Sequence, residues 1–430
     1  MFLKDAFNKY YPYDLHFTFN NLLNIKKYDN TLILDMFDTI AYICYTDFYT
    51  SRDEDVNNIS KLSICIPVIN YEIFKSQKEK FEQLLKFMTN GEEWNIEFKR
   101  AKKQKILTCD SDYDSKVEYN SIALLSGGLD SLSGTINEKS NKTIFVTFDT
   151  NSIELSNSKK IYEKLLKTEN NCRVAIKKLS LEDTVQYTER TRSLMFIACC
   201  LIYADFFHIN KINLYENGIM SLNPKFNFSR RVTKTTNQKT LYLINTIFSN
   251  VGINIKVVNP FKYLTKTEVI SRIPKEYLEV LRDDTRTCSK NSRIVHFINK
   301  SKGNFHCGVC IACILRQIGT INCGLYEFYN NYLLPSNLIK FNDILSYEKS
   351  ISKNHRDIQD YRSARYKYFE KKSLIEYYKS FYRNINNGRI VDYIELNPIY
   401  YDDEDYYNNL NDMLNRFSKE LEKYFEHLED

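Results

Sequence analysis

The chain has 430 residues, long for one domain, and 43% of them are hydrophobic, enough for a sizeable core. Its 60 basic and 54 acidic side chains leave a formal charge of only +6 without a dominant basic tract, which makes no case for a nucleic-acid partner. No apolar stretch reaches membrane-span length, the first residues lack a secretion signal, and eleven cysteines cannot all pair, so a cytoplasmic protein with reduced thiols is predicted.

Residues 31–45 and 61–68 read as β-strands, 72–88 as an amphipathic helix, and 94–98 alternates like a further strand. These runs do not repeat a strand–helix unit. Residues 1–110 are therefore expected to form a small α+β domain, with the polar stretch 102–118 as its linker. From about 115 to 290 short apolar runs alternate with helical ones. The candidate strands are 121–125, 143–147, 173–177, 211–215 and 254–258, and the candidate helices are 157–166, 192–208 and 240–250. Such alternation predicts an α/β fold with a doubly wound parallel sheet, whose ligands sit at the carboxyl ends of the strands. Residues 326–430 turn to tyrosine-rich, charged helical segments with an apolar stripe over 410–428, and the acidic run at 402–405 reads as a solvated loop.

The first strand of the alternating region runs straight into Ser126-Gly127-Gly128-Leu129-Asp130-Ser131. Adjacent glycines let a backbone approach a ligand closely, and the amides at the start of the next helix form a cradle for an anion. The other common ATP loop, Gly-x-x-x-x-Gly-Lys-Ser/Thr, supplies a lysine to the outer phosphates. None follows here. The loop suits a pyrophosphate, and attack at an α-phosphate to give an adenylate is the matching chemistry. A glycine turn that binds nothing is the alternative, although Asp130 and two serines exceed what a turn needs.

Cys307-Gly308-Val309-Cys310-Ile311-Ala312-Cys313, with Cys288 upstream, is the second strong feature. Two C-x-x-C steps let three thiolates converge, Gly308 permits a tight turn, and Cys288 supplies a fourth corner. A tetrahedron of thiolates suits structural Zn2+ with no open position. The interval from 288 to 307 adds only slowly growing loop entropy, which metal binding offsets. An iron–sulfur cluster is the chemical rival. His306 reads as a surface or supporting group, and Cys199 and Cys200 as core residues of an apolar helix.

Ser126 to Ser131 resembles the PP-loop of the adenine-nucleotide α-hydrolases. A PP-loop followed by Cys…Cys-Gly-x-Cys-x-x-Cys-x-x-Arg, here ending at Arg316, resembles the QueC family of 7-cyano-7-deazaguanine synthases. Thr191-Arg192-Ser193-Leu194-Met195-Phe196 resembles that family's Arg-Asn-x-x-Phe helix start. Asn259-Pro260-Phe261 with Thr265-Lys266-Thr267-Glu268 resembles its Pro…Thr-Lys-x-Glu element, although Thr265 and Glu268 also have the form of a capping box. The resemblance covers about residues 119–325, including the knuckle at 288–313. It implies ATP binding by Leu125, Ser126, Gly127, Gly128, Leu129, Asp130 and Ser131, with Phe148 and Asp149 flanking the adenine. It further implies Mg2+ at the phosphates, catalytic roles for Ser126, Asp130, Ser131 and Arg192, and metal ligation by Cys288, Cys307, Cys310 and Cys313. The implied reaction adenylates 7-carboxy-7-deazaguanine, releases pyrophosphate, and lets an amine displace AMP to form an amide.

Housekeeping members of that family are much shorter and lack both terminal extensions. Their fourth strand leads to a glycine and aspartate substrate turn, where this chain reads Tyr215-Glu216-Asn217-Gly218-Ile219, followed by Ser229-Arg230-Arg231-Val232-Thr233-Lys234. These features resemble the QueC-like proteins of bacterial anti-phage islands, the Qat systems and some CBASS operons. That resemblance implies a defence role, with the deazaguanine passed to ammonia or to an amine on a partner protein of the same operon. Glu216 and Asn217, beside Gly218, can read the donor edge of a guanine-like base or can simply turn the chain. Arg192, Arg230 and Arg231 can neutralise phosphate or carboxylate charge, or can equally pair with surface acids, and Gly218, Arg230, Arg231 and Lys266 join Glu216 and Asn217 as the substrate-binding residues that the resemblance implies. A housekeeping synthase, a tRNA-modifying PP-loop enzyme and an inactive nucleotide-binding scaffold are the competing functions. Self-association is left open.

Overall fold

The computed structural model describes residues 27–50, 61–101, 107–108, 118–139, 141–149, 152–168, 171–177, 190–223, 234–288, 306–326, 328, 332, 334, 337–351, 357–388 and 405–429. Strand β1 (Lys27–Tyr28) leads into helix α1 (Thr31–Tyr49), which corrects the strand expected over 31–45. The run is apolar on nearly every side, so no period separates helix from strand. Asn30 decides the matter locally: its side-chain oxygen accepts from the Leu32 and Ile33 amides and caps a helix. Burial around most of its circumference is what an interior helix requires. Asp35, fully buried within it, accepts from the Ile69 and Asn70 amides at 3.0 and 2.7 Å.

Strand β2 (Lys61–Val68), helices α2 (Tyr71–Ser76) and α3 (Lys78–Met88), and strand β3 (Glu93–Arg100) follow in order. The helix expected over 72–88 is split at Gln77. The two strands alternate buried and exposed residues, yet they pair in parallel, so this region does contain a strand–helix–strand unit. Strand β4 (Leu107–Thr108) pairs with β1 and falls within the stretch expected to be a linker.

The central sheet comprises β5 (Ser121–Leu124), β6 (Thr143–Asp149), β7 (Cys172–Lys177), β8 (Lys211–Asn213) and β9 (Lys256–Val258), all parallel, in the order β7-β6-β5-β8-β9. The intervening helices are α4 (Leu129–Glu138), α5 (Ser152–Ile161) with a π-helical continuation over Tyr162–Leu166, α6 (Arg192–Phe206), α7 (Gly218–Leu222) and α8 (Gln238–Val251). Both faces of the sheet are buried: Ile122, Ile144, Val146 and Ile212 enter one apolar cluster, and their neighbours Ala123 and Phe145 enter another. Each fully buried aliphatic or aromatic side chain contributes roughly 1.5–3 kcal/mol. The first cluster also holds Ile33, Phe37 and Ile40, because α1 packs against α6. Strand order reverses between β5 and β8, the point at which open parallel sheets form a crevice at the carboxyl ends of their strands.

Beyond the sheet lie α9 (Lys266–Ser271), α10 (Leu278–Asp284), α11 (Ile311–Asn322), α12 (Phe341–Ile351), α13 (Asp357–Asn386) and α14 (Tyr406–Glu429). The stripe expected over 410–428 is a packed face: Leu410, Met413, Phe417, Leu421 and Tyr424 meet Ile314 and Ile318 of α11 and Tyr378 and Phe381 of α13. Of the acidic run, residues 402–404 lie outside the described part. Among the described residues no helix is long and apolar enough to cross a membrane.

Candidate active site and metal centre

The loop after β5 is built by its own serines. The Ser131 hydroxyl donates to the Leu124 carbonyl at 2.8 Å and accepts from the Ser126 amide at 3.1 Å, while the Gly128 amide donates to Ser126 Oγ at 3.3 Å. Gly127 sits at φ +77°, a left-handed conformation that side chains disfavour. Gly128 then caps α4 without a side-chain bond to the first amides of that helix, and Leu129 and Leu125 anchor the loop in the core.

Asp130 is held from across the crevice. The Asn217 backbone amide and Nδ2 donate to its Oδ2 at 3.2 and 2.9 Å, and Lys266 Nζ lies 2.7 Å from its Oδ1. Only 4% of the Lys266 side chain is exposed. A buried ammonium deprived of its counter-charge costs several kcal/mol, so the carboxylate and the lysine depend on each other. Lys266 is the first residue of α9 and lies inside the capping box of Thr265 and Glu268, which forms in full. Helix initiation and delivery of the lysine are one feature rather than alternatives.

Asn217 also caps α7, accepting from the Met220 amide at 3.2 Å, so its side chain serves the helix and Asp130 together. Gly218 is a packing position: a Cβ there would lie 2.1 Å from Met413 Sδ and 2.5 Å from the Lys262 carbonyl oxygen. Glu216 accepts from the Thr236 hydroxyl, and its backbone amide and carbonyl bond the Asn259 side chain at 3.3 and 2.8 Å. Loss of hydration pushes its carboxyl up to about 7, against the opposing Thr236 hydrogen bond. The folded chain therefore holds this proton between pH about 4.5 and about 7 while the unfolded chain does not. The contribution of Glu216 to stability is full at the acid end and is lost as pH rises through about 7. Urea midpoints across this range should show a steeper alkaline decline for the wild type than for Glu216→Gln, and parallel profiles would refute the assignment.

Arg192 opens α6 with its guanidinium over the Phe196 ring, 5.7 Å from the centroid, while Asp130 takes its bonds from Asn217 and Lys266 instead. The start of α6 is fixed by Asp47, which accepts from the Thr191 amide and hydroxyl at 2.9 Å each. Phe148 and Asp149 end β6, but their side chains, and all of Arg230 and Arg231, lie outside the described residues.

Cys288, Cys307, Cys310 and Cys313 are all buried, with their sulfurs within 4.8 Å of one another. The Cys307 and Cys313 sulfurs are 3.7 Å apart. Metal–sulfur bonds of about 2.3 Å in a tetrahedron give sulfur–sulfur edges of about 3.8 Å, so the donor set fits a four-thiolate ion. The Cys307 amide donates to Cys288 Sγ at 3.4 Å and the Val309 amide to Cys307 Sγ at 3.5 Å, the bonding of a knuckle turn, which Gly308 makes at φ +76°. Burial, then the neighbouring sulfurs, hold the Cys313 thiol well above its usual range, a state that a divalent cation would reverse. His306 is fully buried, not on the surface, and burial followed by the Arg316 charge keeps it neutral.

Two arginines that sequence reasoning left without a role join the knuckle to the loop. The Arg286 amide donates to the Gly127 carbonyl at 3.0 Å, two residues before Cys288. Arg316, almost completely buried on α11, donates to Thr285 Oγ1 and the Leu281 carbonyl at 2.8 Å each. The spacing after Cys313 marks Arg316, whereas nothing local marks Arg286.

Neither the curated proteins nor the solved structures give a match to the chain. Residues 146–324 match the family model for the queuosine biosynthesis protein QueC. The matched span begins beyond the Gly127–Gly128 loop and takes in Asn217, Lys266 and all four knuckle cysteines. The segment that supplies Asn217 and Lys266 to Asp130 and carries the four-cysteine cluster is therefore QueC-like.

Proposed function

We propose that the chain is an ATP-dependent, AMP-forming ligase of PP-loop type on a doubly wound sheet, which activates the carboxylate of 7-carboxy-7-deazaguanine and passes it to an amine. The observation that carries this reading is the junction at Asp130, where an anion-cradling loop meets Asn217 and Lys266 of the QueC-like segment. In the reaction, a carboxylate oxygen attacks the α-phosphorus and pyrophosphate departs. An amine nitrogen then attacks the acyl carbon and AMP leaves, giving an amide and releasing the amine proton.

The amides of Gly127, Gly128 and the first turn of α4, with Ser126, cradle the departing pyrophosphate. Lys266 supplies positive charge beside it and pairs with Asp130 at 2.7 Å. Each Asp130 oxygen retains lone-pair capacity, so the carboxylate can hold Mg2+, which neutralises phosphate charge when bound. Glu216, half-buried just beyond the end of β8, is the group left for a guanine-like base, whereas Asn217 is buried with its side chain committed to Asp130 and the Met220 amide. The four cysteines would hold Zn2+ as a closed structural ion, bracing the segment from Arg286 to Cys288 against the loop. The terminal regions outside the matched span favour an amine on a partner protein in a cytoplasmic defence system over free ammonia.

The test is exchange of labelled pyrophosphate into ATP by the purified full chain. Exchange that depends on 7-carboxy-7-deazaguanine is expected. Exchange with tRNA but not with the acid would transfer the assignment to tRNA modification, and release of ADP with orthophosphate would overturn it.

A further inference from the structure

Helix α14 lies outside the QueC-like span, yet three residues of one of its faces converge on the loop and helix that carry Lys266 and Gly218. Glu420 Oε1 accepts the Thr265 hydroxyl at 2.5 Å. Thr265 is the cap of α9: its Oγ1 accepts from the Glu268 amide at 3.2 Å, and its own amide donates to Glu268 Oε2 at 2.8 Å. Arg416, one turn earlier on α14, sits with Nε 2.7 Å from Glu268 Oε1, and its Nη2 donates to the Tyr263 carbonyl at 2.9 Å. Met413, a further turn back, fills the space left by the missing side chain of Gly218.

An apolar stripe alone would dock α14, and that stripe is already satisfied by α11 and α13. Burying a carboxylate costs hydration that a leucine would not lose. Glu420 Oε1 and Arg416 Nε both meet the capping turn that aims Lys266 at Asp130, while the remaining Arg416 nitrogens pair with Asp412 of the same helix and the Tyr263 carbonyl just before that turn.

We infer that α14 is a built-in part of the nucleotide site, in which Glu420 and Arg416 are positioning residues that hold the first turn of α9 and so set Lys266 against Asp130. The inference rests on the reading of the Asp130 loop as an ATP site. The route is continuous: Glu420 to Thr265 by hydrogen bond, Thr265 to Lys266 by the peptide backbone, and Lys266 to Asp130 by an ion pair. It assigns the extension an active-site role that a synthase lacking it must fulfil by other contacts.

The experiment compares full-length Glu420→Ala, Glu420→Gln and a packing control, Leu414→Val. Three quantities are read: ATP affinity by calorimetry without the acid, the KM and kcat of pyrophosphate exchange, and hydrogen exchange of a peptide spanning 265–268. Glu420→Ala should raise the ATP Kd and KM by about tenfold or more with a smaller change in kcat, and should speed amide exchange at 265–268. Glu420→Gln, which keeps an acceptor for Thr265, should recover most of both losses. Leu414→Val should lower the melting temperature without moving either. If Glu420→Ala melts earlier yet keeps wild-type ATP affinity and wild-type exchange at 265–268, α14 is packing and the inference falls. Should the wild type bind no ATP, the function reading fails by itself, and amide exchange at 265–268 in the Gln and Ala variants still decides whether Glu420 positions this turn.

Discussion

Asp130→Ala should abolish pyrophosphate exchange and also destabilise the chain, a double loss that an exposed phosphate-contacting residue would not show. Lys266 is almost completely buried and has Asp130 as its salt-bridge partner, so removing the carboxylate strands an ammonium in the crevice. Breaking a buried pair from one side costs about 3–5 kcal/mol. Asn217 would also lose the acceptor that fixes its backbone and side-chain amides. Asp130→Asn keeps an oxygen acceptor while removing the charge, and should lose exchange with a smaller drop in stability. The double variant Asp130→Ala/Lys266→Met removes both charges together. It should regain most of the stability lost in Asp130→Ala and none of the activity. Urea unfolding of these proteins and of Lys266→Met alone measures the coupling, and pyrophosphate exchange measures the chemistry. Exchange in Asp130→Ala within tenfold of wild type would remove this residue from the mechanism.

The second large effect is expected at the knuckle. Wild-type protein should carry one zinc per chain, and Cys310→Ser should lose it together with about 4–5 kcal/mol of stability or more, the size of effect associated with a lost metal site. The consequence should not stay local. Arg286 bonds the Gly127 carbonyl two residues before Cys288, and Arg316 follows Cys313 on the same helix and ties Thr285 and Leu281 together. Releasing the ion therefore loosens the wall of the phosphate loop, and exchange should fall even though no cysteine touches substrate. Elemental analysis, thermal unfolding and exchange on the same preparations check all three points. Visible charge-transfer absorbance with iron in place of zinc would favour a cluster. A Cys310→Ser protein with wild-type melting and activity would rule out a structural metal.

Much of this site is visible in the chain before any folding. The five strands of the central sheet, the Ser126–Ser131 loop, the three cysteines of 307–313, the Thr265–Glu268 box and the stripe of α14 are all carried by residues close to one another in the chain. Period, spacing and side-chain-to-backbone bonds act at that range, so they can be read directly. Helix α1 escaped the same reasoning because a segment buried on nearly every side shows no polar face to betray its period; the elements of the β2–β3 unit were legible, but not that the two strands pair in parallel.

By itself, then, the order of residues determined which elements form and which chemistry they carry. Tertiary structure alone decided who meets whom. Asp130 and Lys266 are 136 positions apart, and Thr265 and Glu420 are 155 apart. They come together because placing β8 beside β5 folds the later elements back over the first loop. Contacts of that kind depend on how elements cross and pack, and a periodic pattern records only the buried face of each element, never the identity of the neighbour that covers it.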